Sequence, residues 1–117
     1  MFKRLTQLFR GRPYRIQNIA SLPEGQARAE LVGDPFAGGA QIVLARVDGE
    51  LHVLDSECPH AAEGHFDDGA LVEGRYLLCP AHNYHFDPKT GKSVGSPCKK
   101  ATSYKFELDG DDCLVYI

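Results

Sequence analysis

Two short segments of this chain, Cys58-Pro59-His60 and Cys79-Pro80-Ala81-His82, each carry one thiol and one imidazole, and eighteen residues separate His60 from Cys79. Thiolates and imidazoles are the ligand types of zinc and iron–sulfur sites, so the pattern reads as one metal site split over two loops. A fold that uses it must bring those loops to one point. The Pro after each Cys fixes φ and cannot donate a hydrogen bond, which stiffens a tight loop around a cluster. The pattern thus predicts a metal site made of Cys58, His60, Cys79 and His82. Zinc would accept two Cys and two His tetrahedrally, but zinc modules commonly place the Cys as one pair and the His as another. Here each loop offers one of each, which suits two irons, one held by both Cys and the other by both His. The residues alone leave both metals open.

The surroundings of the motif read as β-structure. With 12 Gly and 7 Pro in 117 residues, long helices are disfavoured and turns are frequent. Strands are expected over Tyr14 to Ile19, Gln26 to Val32, Gln41 to Val47 and Glu50 to Leu54, with a turn at Leu22-Pro23-Glu24-Gly25 and a loop from Gly33 to Gly39. Asp48-Gly49 between two of these strands is a strong hairpin signal. A second hairpin joins Ser103 to Leu108 with Cys113 to Ile117, and Tyr104, Phe106 and Leu108 alternate with Lys105 and Glu107 as on a half-buried strand. Between the hairpins, two loops rich in His, Pro and Gly flank the strand-like Arg75-Tyr76-Leu77-Leu78, and Asp87-Pro88-Lys89-Thr90-Gly91 makes a turn. Short strands at this spacing predict an all-β fold, a small antiparallel sandwich or barrel carrying the two-loop insert.

Charge and hydropathy restrict the function. The first twelve residues hold Lys3, Arg4, Arg10 and Arg12 and no acid, while sixteen Asp or Glu outnumber the nine other Lys or Arg, for a formal net charge of −3. Phe2, Leu5, Leu8 and Phe9 recur at helical spacing, so residues 1–12 are expected to be a basic amphipathic extension and residues 13–117 the domain proper. The acidic body argues against nucleic acid. No apolar run reaches membrane-spanning length, and no signal-like stretch opens the chain, so a cytoplasmic location is expected. In that compartment Cys98 and Cys113 are expected as free thiols, Cys113 as a small core residue. His52 is expected at the surface or sheet edge, His65 and His85 as exposed polar residues of the loops, and Glu63, Asp67 and Asp68 as a solvated acidic face.

The motif and its flanks together resemble the Rieske ferredoxins and Rieske domains. The resemblance runs from Tyr14 onward and rests on Leu22-Pro23-Glu24-Gly25, Asp48-Gly49-Glu50-Leu51, Cys58-Pro59-His60, Gly69, Cys79-Pro80-Ala81-His82, His85-Phe86-Asp87 and Thr90-Gly91. It implies a [2Fe–2S] cluster with Cys58 and Cys79 on the inner iron and His60 and His82 on the outer one. Departures are a longer first loop with Gly64 displaced, Ala81 in place of an aromatic residue or Cys, and Asn83 where Gly commonly follows the second His. Neutral imidazoles in place of thiolates raise the potential of such centres to about −150 to +300 mV, against about −400 mV for all-thiolate plant-type clusters. High-potential members carry a disulfide between the loops and Ser and Tyr hydroxyls aimed at sulfur. Here the corresponding positions are Glu63 and Ala81, and Tyr84 and Phe86, which implies a low-potential centre. The implied role is a single-electron carrier and not an enzyme. It would receive electrons from a flavin-dependent ferredoxin reductase and pass them to a terminal oxygenase, as ferredoxin components of bacterial ring-hydroxylating dioxygenase systems do. Ser96-Pro97-Cys98 is similar to some of those components. Alternatives are the small Rieske-like subunit of an assimilatory nitrite reductase and a zinc-binding interaction module.

Overall fold

The apolar run Ile42-Val43-Leu44-Ala45 lies at the centre of the fold, because all four side chains are buried and a strand points successive ones to opposite faces. The computed structural model describes residues 12–59, 64–81, 83–95 and 98–117. The expected amphipathic helix of the N-terminal extension lies outside them. The strands are β1 (Pro13–Ile16), β2 (Gln26–Val32), β3 (Ala40–Val47), β4 (Glu50–Asp55), β5 (Gly69–Ala70), β6 (Leu77–Cys79), β7 (Tyr84–Phe86), β8 (Ser93–Val94), β9 (Lys105–Asp109) and β10 (Asp112–Tyr116). They pair antiparallel in three sheets ordered β1-β10-β9, β4-β3-β2-β5 and β6-β7-β8. Among the described residues no helix is long and apolar enough to cross a membrane.

The middle sheet therefore has two buried faces and two cores. Ile42 and Leu44 of β3 join Val32, Leu51 and Val53 against Ile16, Cys113 and Val115 of the first sheet. Val43, Ala45 and Val47 face the other way with Ala27 and Leu54, against Leu77, Cys79 and Phe86 of the third sheet and Cys58, Phe66 and Leu71 from its loops. Each fully buried Val, Leu or Ile contributes roughly 1.5–3 kcal/mol of transfer free energy. The β3–β4 hairpin closes at Asp48 (φ 53°) and Gly49 (φ 76°), the two left-handed residues of a type I′ turn.

Two expectations are corrected. The first strand ends at Ile16 and not Ile19, because Asn18 turns left-handed (φ 56°). Its N–H donates to Asp112 Oδ1 at 2.8 Å, while Arg28 reaches the Gln17 carbonyl at 2.8 Å. Leu108 does not face a core. It is 62% exposed on β9, an edge strand, so the apolar alternation read there ends at Phe106.

Candidate metal centre

Both cysteine loops are hairpin tongues. In the first, the Cys58 N–H donates to the Gly64 carbonyl at 2.8 Å, the Phe66 N–H donates to the Ser56 carbonyl at 2.8 Å, and Glu57 pairs with His65 between them. In the second, β6 and β7 pair up to Cys79 opposite Tyr84. Each Cys thus sits in the paired stem just below a loop tip. At the second tip Asn83 is left-handed (φ 57°), the conformation that Asn tolerates better than other non-Gly residues.

The two cysteines converge. Cys58 is 1% and Cys79 0% exposed, and neither forms a disulfide. A Cβ built on Gly64 would lie 2.6 Å from Cys79 Sγ, 3.3 Å from Cys58 Cβ and 3.2 Å from Ala81 Cβ. The loops therefore meet at a point where no side chain fits. Phe66 and Phe86 pack edge to face beneath them, with ring centroids 5.3 Å apart, and tie the first tongue to the second. Two buried cysteines brought from separate hairpins to one backbone position fit a shared iron. His60 and His82 lie outside the described residues, as do Glu63, Ser96 and Pro97.

The other residues singled out from sequence take different positions. His52 lies on the edge strand β4, as expected, but is not fully exposed there. Its side chain is 20% exposed, and its buried Nε2 has no hydrogen-bond partner among the described residues. Burial holds its pKa below the ordinary value, Lys89 adds to that, and Glu50, Asp87 and Asp48 oppose it. His65 and His85 are half-buried instead of exposed. His85 belongs to β7 and stacks on Tyr76, with centroids 6.4 Å apart and planes at 11°. Asp68 is more than part of a solvated face, because its Oδ1 accepts the Ala29 N–H of β2. Cys98 packs against the core that contains Cys58 and Cys79, and Cys113 lies in the other core, so the two remain separate thiols. Burial pushes the Cys113 thiol up to about 11.

Sequence reasoning missed Asp55 and Tyr104. Asp55 Oδ1 accepts the Glu57 N–H at 2.8 Å and Oδ2 accepts the Tyr104 hydroxyl at 2.7 Å. The first contact has a local signal, an Asp bonding the backbone two residues on. The second joins residues far apart in the chain and has none.

Residues 12–107 match the Rieske [2Fe–2S] domain model. The ferredoxin component of naphthalene 1,2-dioxygenase/salicylate 5-hydroxylase systems from Ralstonia sp is 39% identical over 82 residues, covering 70% of this chain and 72% of that protein. The ferredoxin component of the naphthalene 1,2-dioxygenase system from Pseudomonas aeruginosa is 30% identical over 98 residues, covering 83% and 88%. Among solved structures, the ferredoxin of carbazole 1,9a-dioxygenase from Nocardioides aromaticivorans IC177 superposes with a TM-score of 0.71 at 25% identity, covering 89% of this chain and 96% of that one. A ferredoxin solved in complex with its oxygenase, from carbazole 1,9a-dioxygenase, shares the fold, with a TM-score of 0.64 at 21% identity over 88% of this chain and 93% of that one. The chain belongs to the Rieske [2Fe–2S] domain family, and within it to the ferredoxin type that carries electrons.

Proposed function

We propose that this protein is the one-electron carrier of a multicomponent oxygenase, that Cys58 and Cys79 hold one iron of its [2Fe–2S] cluster, and that His60 and His82 hold the other. The observation that carries the ligand reading is the meeting of two buried cysteines at Gly64. When bound, such a cluster takes up and releases single electrons. The chain supplies the two stems that orient the thiols and the Phe66–Phe86 contact that closes the floor beneath them. The names of the relatives from Ralstonia and Pseudomonas support the oxygenase partner, and a flavin-dependent reductase as electron donor completes the proposal.

The reading includes a low potential. Phe86 is fully buried and has no hydroxyl to donate, and Ala81 has no thiol with which to staple the loops. Fewer hydrogen bonds to sulfur leave the oxidised cluster relatively favoured. A visible spectrum, a redox titration and an electron paramagnetic resonance spectrum of the reduced protein test this together. The expected results are a brown protein, a midpoint below zero and a mean g-value below that of all-thiolate clusters. A colourless protein with stoichiometric zinc would overturn the ligand chemistry, and a midpoint well above zero the low-potential assignment. Turnover of a ring-hydroxylating oxygenase that depends on this chain and a reductase tests the role. Acceleration of nitrite reduction in place of oxygenase turnover would favour the alternative subunit.

A further inference from the structure

The root of the first cysteine loop is held from a distant part of the chain. Asp55, the last residue of β4, accepts the Glu57 N–H and the Tyr104 hydroxyl on its two oxygens, at 2.8 and 2.7 Å. Glu57 directly precedes Cys58, whose own N–H closes the stem on Gly64. The segment that carries Tyr104 is fixed beside β4. The Tyr104 N–H donates to the Val53 carbonyl at 2.9 Å, the Asp55 N–H donates to the Thr102 carbonyl at 2.8 Å, and Leu54 pairs with Ser103. The Tyr104 ring packs against the core shared with the β1-β10-β9 sheet, the one without the candidate cysteine ligands. Its hydroxyl therefore reaches Asp55 from a segment that is hydrogen-bonded to β4 and packed on a core. Burial, and then the Asp55 carboxylate, raise the pKa of this phenol, so it remains a donor throughout the ordinary pH range.

We propose that Tyr104 and Asp55 form a clamp that positions the first cysteine loop, and that through it they hold Cys58 in place as a ligand. The second half of this statement rests on Cys58 being a ligand, and the first half does not. Both are positioning residues, since neither is placed on the cluster.

The test uses the holoprotein and four variants: Tyr104→Phe, Asp55→Asn, the double variant, and Ser103→Ala as a control in the same segment. Phe keeps the ring and loses the donor. Asn keeps one acceptor for the Glu57 N–H and loses the second. Cluster loss to EDTA is followed by visible absorption well below the unfolding temperature. Hydrogen–deuterium exchange is read over residues 56–66 and, for comparison, over 40–47. Tyr104→Phe should lose the cluster about fivefold faster or more, with faster exchange at 56–66 and parental exchange at 40–47. Asp55→Asn should act in the same direction, and Ser103→Ala should match the parent. If the pair is one device, the double variant changes no more than the larger single change. Parental cluster loss and exchange in Tyr104→Phe, equal acceleration in both segments, or additive effects would each overturn the clamp. Should Tyr104→Phe fail to fold, Asp55→Asn decides by the same criteria. A parent protein without a chromophore would refute the ligand reading, and exchange alone then decides the clamp.

Discussion

Replacing Gly64 with Ala tests the site through one added carbon. The new Cβ would stand 2.6 Å from Cys79 Sγ, whereas ordinary contact begins at 3.4 Å, so the thiol would have to recede by about 0.8 Å. Gly64 is not among the positive-φ glycines, so Ala meets no backbone penalty there and the effect is steric. Overpacking of this kind costs about 1–3 kcal/mol. At about 4 °C per kcal/mol for a domain of this size, the unfolding midpoint should drop by about 4–12 °C. The effect on the cluster should be larger in kind. Metal–ligand distances tolerate about 0.2 Å, a fraction of the displacement required. Iron per chain and visible absorption of Gly64→Ala should therefore fall sharply or the spectrum should change. Gly110→Ala is the comparison, since Gly110 has φ 62° and open space around it. Strain there costs about 1–2 kcal/mol, a similar loss of stability, but the cluster should be retained. Full iron and an unaltered spectrum in Gly64→Ala, or equal cluster loss in Gly110→Ala, would refute the convergence of the two cysteines at this point.

Three further outcomes are expected. Ala in place of His60 or His82 should abolish or transform the visible spectrum, while Cys98→Ala should leave it as it is; a parental spectrum in either His variant removes that residue from the ligand set. Burial places the folded pKa of His52 below its ordinary value of 6.5, so the unfolded chain takes up a proton first as pH falls. Stability that is full above pH 6.5 should then decline below it, and thermal unfolding at pH 7 and 5.5 should show a smaller decline in His52→Gln than in the parent. At the β3–β4 turn, Asp48→Asn should be nearly neutral, because Asn accepts φ 53° and the exposed contacts to Lys89 and Arg75 contribute little. Asp48→Val should cost about 1–2 kcal/mol in denaturant unfolding, and equal midpoints for the two variants would contradict that assignment of strain.

What was legible in the sequence was local. β2 has the bounds expected of it, and Asp48-Gly49 makes the turn its residues demand. Cys58 and Cys79 could be expected to come together because their neighbours repeat, and Asn83, standing where the family commonly has Gly, could be expected to allow the left-handed turn it makes. The illegible features each depend on a partner far along the chain. Asn18 leaves the strand conformation where Asp112 accepts its N–H. His52 sits on an edge strand, and the charges that bear on it include Asp87 and Lys89 from a later turn, which no β4 pattern announces. Leu108 alternates like a core residue and faces outward. Gly64 could be seen as displaced from its usual place, but the approach of Cys79 to it arises only when two hairpins pack together. The bond between Tyr104 and Asp55 is illegible for the same reason.

The presence of two cores on opposite faces of one sheet bears on how the protein is loaded and repaired. The core shared with the β1-β10-β9 sheet contains neither Cys58 nor Cys79, so with the cluster held as proposed, stripping iron and sulfide from the chain should disturb one compartment only. A depleted molecule should then keep a wall already built, with β3 inside it as a common partition. Reinsertion of the inorganic atoms is then expected to be a local closing of two tongues against a standing frame, not a second passage of the whole polypeptide through its folding transition.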